Sequence, residues 1–339
     1  MKALNIKDIA KLAGVGVSTV SRVLNDHPDV KAATREKVLK VIDEVNYIPN
    51  NSARNLKRSN SKNIGVLVKG IYNPFFAELV NSIEKRIDEE GYSMILHYND
   101  DVTSDLEGAI QLIKEKKLQG LICLGGDFND LKEDNLVELN TPLVLSSINI
   151  NDDVDKEKFS SVIIENEKSS YDAVEYLCKL GHEHIGIITT GEGDTNVGQL
   201  RHKGYKRALR EYDIDPKDDL VEFGDYSFKS GFEAMNKLLD RNENITAVFA
   251  ISDIMAIGAA KAILSRGYKI PEDISIIGFD GLEFGEYFHP SITTVKQPRE
   301  EMGEKSIEIL MNLIKGKKEQ EHIVLKTELL ERESCKKVR

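Results

Sequence analysis

The sequence predicts a small all-α helix-turn-helix head joined to an α/β body of two doubly wound parallel-sheet subdomains. Three observations predict it. Charge is divided along the chain, with 12 Lys and Arg against 6 Asp and Glu in residues 1–62, 34 against 51 in the remainder, and a net charge of −11 overall. Three amphipathic helical patterns fill the first 47 residues, the first two joined by a glycine turn. From residue 64 onward, short apolar runs alternate with helical periodicity, the order that builds parallel sheets covered on both faces.

In the head (residues 1–47), "NIKDIAKLAG" offers Asn5 as an N-cap, Asp8 in the first turn, apolar Ile9, Leu12 and Ala13, and a terminating Gly14. "VSTVSRVLN" places Val20, Val23 and Leu24 on one face, and "ATREKVLKVIDEVNY" forms a third helix through Val38, Val41, Ile42 and Val45. Residues 48–62 read as a polar linker rich in Asn and Ser, in which Leu56 stands between Asn55 and Lys57. A basic head on an acidic body is the charge division of a nucleic-acid-binding module fused to a different domain.

The body (63–339) holds a first series of strand-like runs at 64–68, 93–98, 120–125, 142–148 and 161–165, and a second at 184–190, 220–224, 247–252 and 274–281. "ITTVKQP" (292–298), the helix after it and "EHIVLKTELL" (321–330) are expected to return the chain to the first subdomain and then to the second. That gives a first subdomain of about 63–163 plus 293–322 and a second of about 164–292 plus 323–339. A cleft between them is the natural ligand site, since open α/β sheets bind at the carboxyl ends of their strands.

The stretches "IKDIAKLAGV", "STVSRVLN", "TREKVLKVIDEVNYIPN", "NPFFAELV", "DIMAIGA", "IIGFDG" and "TTVKQP" occur in the order of motifs of one family. Over essentially its whole length the chain resembles the lactose/galactose repressor (LacI/GalR) family of bacterial transcription regulators. The resemblance implies a DNA-binding head, a hinge helix within 48–62, and a dimer-forming body like the type I periplasmic sugar-binding proteins. Its implied partners are a near-palindromic operator, a small sugar-like effector and a second copy of the chain.

In a head of this kind the second helix lies in the major groove with residues near its N-terminus reaching base edges. Here those are Val17, Ser18 and Arg22, with Arg22 suited to a bidentate contact with guanine. Thr19, Ser21 and Asn25 suit phosphates. Asn5, Asn50, Ala53, Arg54 and Leu56 complete the expected DNA-contacting set, Leu56 as the residue that wedges into the minor groove. The chain departs from the family at Gly16, where Ser is usual at the helix N-cap, so a side-chain phosphate contact is lost.

In the body, the resemblance assigns Asn73, Phe75 and Phe76 of "YNPFF", with Tyr72 beside them, to the effector. Aromatic rings pack on the apolar face of a sugar, and amides and charged groups bind its hydroxyls. Arg201 of "LRHKGY" and Asp280 of "GFDG" match a ligand-binding arginine and its facing carboxylate. Tyr226, Ser252, Asp253 and Gln297 fall at further matching positions. At the end of the fourth strand ribose-type relatives carry charges, whereas this chain has Ser147 and Ile148. That departure suits a different sugar, a less hydroxylated molecule, or a phosphorylated or nucleoside ligand.

Other classes are disfavoured. A stand-alone transport-type sugar-binding protein would share the body but carry a signal peptide and no basic head, and the N-terminal residues lack a signal's apolar core. No run approaches the roughly 20 apolar residues of a membrane helix, which points to the cytoplasm. For an enzyme, the glycine-rich "GEGDTNVG" lacks dinucleotide-binding spacing, and the 7 His form no catalytic motif. Cys123, Cys178 and Cys335 lack metal-ligand spacing and are expected as thiols; no metal or cofactor is expected. No leucine heptads follow the body, so nothing supports an added tetramerising coil.

Overall fold

The computed structural model describes residues 4–24, 28–45, 47, 62–70, 73–99, 104–131, 141–151, 154–191, 197–241 and 244–338. Asn25, Asn50, Ala53, Arg54, Leu56 and Tyr72, and with them the hinge segment, lie outside those residues. The chain divides into two compact units, Met1–Ser61 and Lys62–Arg339.

The first unit contains α1 (Ile6–Ala13), α2 (Val17–Leu24) and α3 (Ala32–Glu44). Asn5 caps α1: its Oδ1 accepts the Lys7 N–H at 2.9 Å, and Asp8 Oδ2 accepts the Asn5 N–H at 2.9 Å, closing a capping box. Gly14 ends the helix in the left-handed region, φ 61°, and its N–H bonds back to the carbonyls of Ala10 and Lys11. Ile9, Ala13, Val20, Val23 and Val38 form the small core. Leu12 is exposed rather than packed, because at 100° per residue the buried arc runs from Ile9 through Ala13 to Ala10 and passes it by.

The second unit is built on two parallel sheets. The first contains β1 (Asn63–Val68), β2 (Ser93–Tyr98), β3 (Gly120–Leu124), β4 (Leu143–Ser146), β5 (Ser160–Ile164) and β11 (His322–Leu325), in the order β11-β5-β4-β3-β1-β2. The second contains β6 (Ile185–Thr190), β7 (Val221–Gly224), β8 (Ala247–Ala250), β9 (Ser275–Asp280), β10 (Thr293–Lys296) and β12 (Glu328–Leu330), in the order β12-β10-β9-β8-β6-β7. Only β12 runs antiparallel, against β10. Helices α4 (Phe75–Glu89) and α5 (Asp105–Lys116) flank the first sheet, and α6 (Asn166–Lys179), α7 (Val197–Glu211), α8 (Phe228–Arg241) and α9 (Asp253–Ser265) the second; a short α10 (Glu283–Tyr287) follows β9. The central strands are buried along their length, as their largely apolar sequences require.

Two expected boundaries are corrected. Residues 293–296, expected in the first subdomain, form β10, which pairs with β9 (Thr293↔Ile277) and belongs to the second sheet. Residues 323–325, expected in the second, lie in β11, which pairs with β5 (Ile323↔Val162) and belongs to the first. Hydrogen bonding holds β10 where it is: the Thr293 hydroxyl accepts the Arg332 N–H, and the Thr294 hydroxyl donates to Asp253. Helix α11 (Arg299–Ile314) then packs on α4 and across β3, β4 and β5. The chain therefore passes between the sheets three times, after β5, after β10 and between β11 and β12.

Candidate effector cleft and DNA-reading helix

Helix α2 begins at Gly16, whose carbonyl accepts from the N–H groups of Thr19 and Val20. Val20 and Val23 turn into the core of the helical unit, which leaves Val17, Ser18 and Arg22 exposed and Thr19 and Ser21 half-buried. Arg22 is the only charged residue of the helix. One exposed face thus offers a methyl surface, a hydroxyl and a guanidinium, the groups that read base edges. The side-chain oxygen of Asn5 is engaged in the cap of α1.

In the second unit a cavity of about 480 Å³ lies at the carboxyl ends of both sets of strands. Lys69 follows β1, Gly125 follows β3 and Ser147 follows β4; from the other subdomain come Arg201 on α7, Tyr226 after β7, Asp280 at the end of β9 and Gln297 after β10. Of the expected effector residues, Asn73, Phe75, Phe76, Ser147, Arg201, Tyr226, Asp280 and Gln297 are brought together here. Three of them, Ser147 (φ 58°), Tyr226 (φ 62°) and Asp280 (φ 118°), hold a backbone conformation that side chains other than glycine disfavour. Strain gathered at the mouth of one cleft is the pattern of a ligand site.

Asn73 starts α4, its Oδ1 accepting the Phe75 N–H at 3.1 Å. Phe75 is buried in the core of the body, and Phe76 stands edge-on to it at 5.1 Å between ring centres. Gly125 makes room for the second ring: a Cβ there would come 2.8 Å from Phe76 Cζ. Arg201 is almost wholly buried. Its Nε donates to Asn166 Oδ1 at 2.9 Å and its Nη1 to the Ile251 carbonyl at 2.6 Å, and its guanidinium lies 3.6 Å over the Phe279 ring. Asp280 Oδ1 accepts from Gln297 Nε2 at 2.7 Å, while Oδ2, also buried, has no partner among the described residues. Burial pushes the Asp280 carboxyl up to about 6, against the pull of Arg201 and Gln297.

Ser252 and Asp253 do not line the cleft. Ser252 caps α9, its hydroxyl accepting the Met255 N–H. Asp253 lies wholly buried behind the site, where it accepts from the Leu282 N–H and the Thr294 hydroxyl. Burial and the neighbouring Asp280 charge push its carboxyl up to about 8. Gly278 is explained by this residue, since a Cβ there would fall 2.1 Å from Asp253 Oδ1. Both positions, expected at the effector, are instead placed in the packing behind the cleft.

Sequence reasoning missed Lys69, Asp105, Asp127, Asp225 and Ser227, all of which line the cavity. It also missed Asn166, which joins Arg201 to Asn149 Oδ1 at 2.9 Å across the junction of the subdomains. Asp105 was visible only as an acid in the first turn of a helix, a common and uninformative placement. Among the described residues no cluster of His, Cys, Asp and Glu suits a metal ion, and no helix is long and apolar enough to cross a membrane.

Comparison with known proteins agrees with this geometry. Residues 5–50 match the family described as bacterial regulatory proteins, lacI family, and residues 174–335 match the periplasmic binding protein-like domain. The chain is 52% identical to the HTH-type transcriptional regulator MalR of Clostridium butyricum, over 98% of this chain and 99% of that one. It is 34% identical to the HTH-type transcriptional repressor PurR of Aliivibrio salmonicida, again over 98% and 99%. Among solved structures, the lac repressor dimer bound to operator and the anti-inducer ONPF has a TM-score of 0.78 at 29% identity, covering 99% of this chain and 100% of that one. A complex of the transcriptional regulator CelR with cellobiose has a TM-score of 0.73 at 31% identity, covering 98% and 99%. With a helix-turn-helix head, a two-subdomain body and full-length similarity of this degree, the chain belongs to the lacI family of bacterial regulatory proteins.

Proposed function

We propose that this protein is a transcriptional repressor that binds a near-palindromic operator as a homodimer and is controlled by a sugar-like effector held in the body cleft. The observation that carries the reading is the exposed face of α2, where Val17, Ser18 and Arg22 stand together on a helix whose other face is its unit's core. Two such heads related by a two-fold axis read a two-fold site. Thr19 and Ser21 serve as phosphate contacts, and Leu56 as the minor-groove wedge.

Control follows from linkage. An effector that prefers one angle between the subdomains shifts the protein toward the state with that angle, and operator affinity changes by the ratio of effector affinities in the two states. Arg201 and Asp280 from one subdomain and Asn73, Phe75 and Phe76 from the other give a ligand contacts on both sides of that angle. Fluorescence anisotropy with a labelled operator tests the reading. Binding should weaken steeply with salt, saturate at two chains per site, and shift when a cleft ligand is added. Equal affinity for operator and random DNA overturns it.

A further inference from the structure

The charges missing from the end of β4 are supplied elsewhere in the cleft. Lys69 Nζ lies 3.3 Å from Asp105 Oδ1, with the lysine side chain 37% exposed and the aspartate 10%. Asp105 is held from three sides. Its Oδ1 also accepts from Asn99 Nδ2 at 2.6 Å, its Oδ2 accepts the Asp127 N–H at 2.9 Å, and Gly126 packs so closely that a Cβ there would lie 2.7 Å from Oδ2. A fixed carboxylate beside a partly exposed ammonium fixes where the ammonium sits.

Charge over the whole cleft is unbalanced. Among the described residues its walls carry two cations, Lys69 and Arg201, and four carboxylates, Asp105, Asp127, Asp225 and Asp280. Each cation already has a carboxylate beside it, Asp105 at 3.3 Å and Asp280 at 3.7 Å. A phosphate or carboxylate entering this space meets a surplus of negative charge, carried by the exposed Asp127 and Asp225 beyond the two paired acids. A hydroxyl meets what it needs, since it donates to a carboxylate and accepts from an ammonium in the same place.

We infer that Lys69, positioned by Asp105, is a specificity-determining contact in the first-subdomain half of the cleft, and that the effector it selects is a neutral polyhydroxylated molecule, not a phosphorylated or carboxylated one. Of the ligand classes that suit Ser147 and Ile148, this removes the phosphorylated ones. The inference rests on the reading of the cleft as the effector site. Lys69 works opposite Arg201 and Asp280, so a ligand that reaches both engages the two subdomains at once.

Isothermal titration of the full chain with maltose, cellobiose, glucose and glucose 6-phosphate tests it. At least one neutral sugar should bind, glucose 6-phosphate should bind more weakly than glucose, and Lys69→Met should weaken the neutral sugar by about tenfold or more. Lys69→Arg, with unchanged thermal unfolding, should retain part of the affinity. Asp105→Asn should weaken binding on its own and add little to Lys69→Met, a coupling that a purely structural aspartate would not produce. Tighter binding of glucose 6-phosphate than of glucose, no loss in Lys69→Met, or binding of none of the four sugars overturns the inference. Operator binding by the wild-type protein, measured on the same preparation, separates the two proposals. Its loss with sugar binding intact defeats the regulator reading alone, and its presence with Lys69→Met unaffected defeats this one alone.

Discussion

The guanidinium of Arg201 stands 3.7 Å from the carboxylate of Asp280, within reach of its charge but beyond hydrogen-bonding distance, while Asn166 and the Ile251 carbonyl hold it from behind at 2.9 and 2.6 Å. The arginine is thus oriented by the scaffold rather than by the acid it faces, which leaves Asp280 Oδ2 directed to other work. Arg201→Ala should abolish the shift in operator affinity on effector addition and destabilise the body by roughly 3 kcal/mol, because it leaves a buried carboxylate without its cation. Arg201→Lys should not restore the response, since an ammonium cannot reproduce the planar fork. Effector titrations and urea unfolding measure the two effects.

Asp253 and Asp280 make the body sensitive to pH in a definite direction. Burial raises both carboxyls above the ordinary 3.8, to about 8 and about 6, so the folded protein holds protons that the unfolded chain releases. This stability is fully present below the unfolded value of about 4 and is lost as the pH rises through about 6 and then about 8. Asp253→Asn, whose amide can still accept from Leu282 and face the Thr294 hydroxyl, should flatten the upper part of the profile. Urea midpoints that fall as steeply in the variant as in the wild type would show that another group titrates.

In the head, Arg22→Ala should cost roughly 1–3 kcal/mol at the specific operator and much less on random DNA. Equal losses on both would move Arg22 from base reading to phosphate binding.

Gly16→Ser should tighten operator binding several-fold while changing the stability of the head by only a few tenths of a kcal/mol. The space exists: a Cβ at residue 16 would find Ser18 Oγ at 3.5 Å and Thr19 Oγ1 at 3.8 Å, ordinary contact distances. An added hydroxyl at the start of α2 supplies the phosphate contact that glycine lacks. Unchanged affinity in the anisotropy titration would show that the helix start does not approach the backbone of DNA.

Gly258→Ala should destabilise the body by about 1–3 kcal/mol or more, because its Cβ would meet the Phe228 carbonyl at 2.1 Å where α8 and α9 cross. Thermal unfolding reads the loss.

Much of this molecule is legible in its sequence, and the failures have physical causes. The nine apolar runs each hold one strand, since buried parallel strands admit few polar residues, while the single stretch 321–330 holds two, β11 and β12. Which sheet β10 and β11 join is not written in their periodicity. It is decided by partners such as Asp253 and Ser161, distant in sequence, that satisfy Thr294 and His322. Of the effector residues expected from recognisable motifs, Tyr72 lies outside the described residues, Ser252 and Asp253 lie off the cleft in a helix cap and a buried network, and the others line it. Lys69 and Asp105 were missed for the opposite reason, as two ordinary charged residues 36 positions apart whose meaning arises only where β1 ends beside α5.

The threefold passage of the chain between the sheets has a consequence for inheritance and engineering. Neither lobe corresponds to one continuous stretch of gene, since the first needs α11 and β11 from beyond residue 298 and the second needs β12 from beyond those. A single-splice chimera joined near residue 165 would import a foreign α11 against α4, so exchange of ligand preference between relatives must come through point changes or a three-junction graft. The helical unit, by contrast, ends at Ser61 in one cut, and new operators can be acquired by simple recombination while new effectors cannot.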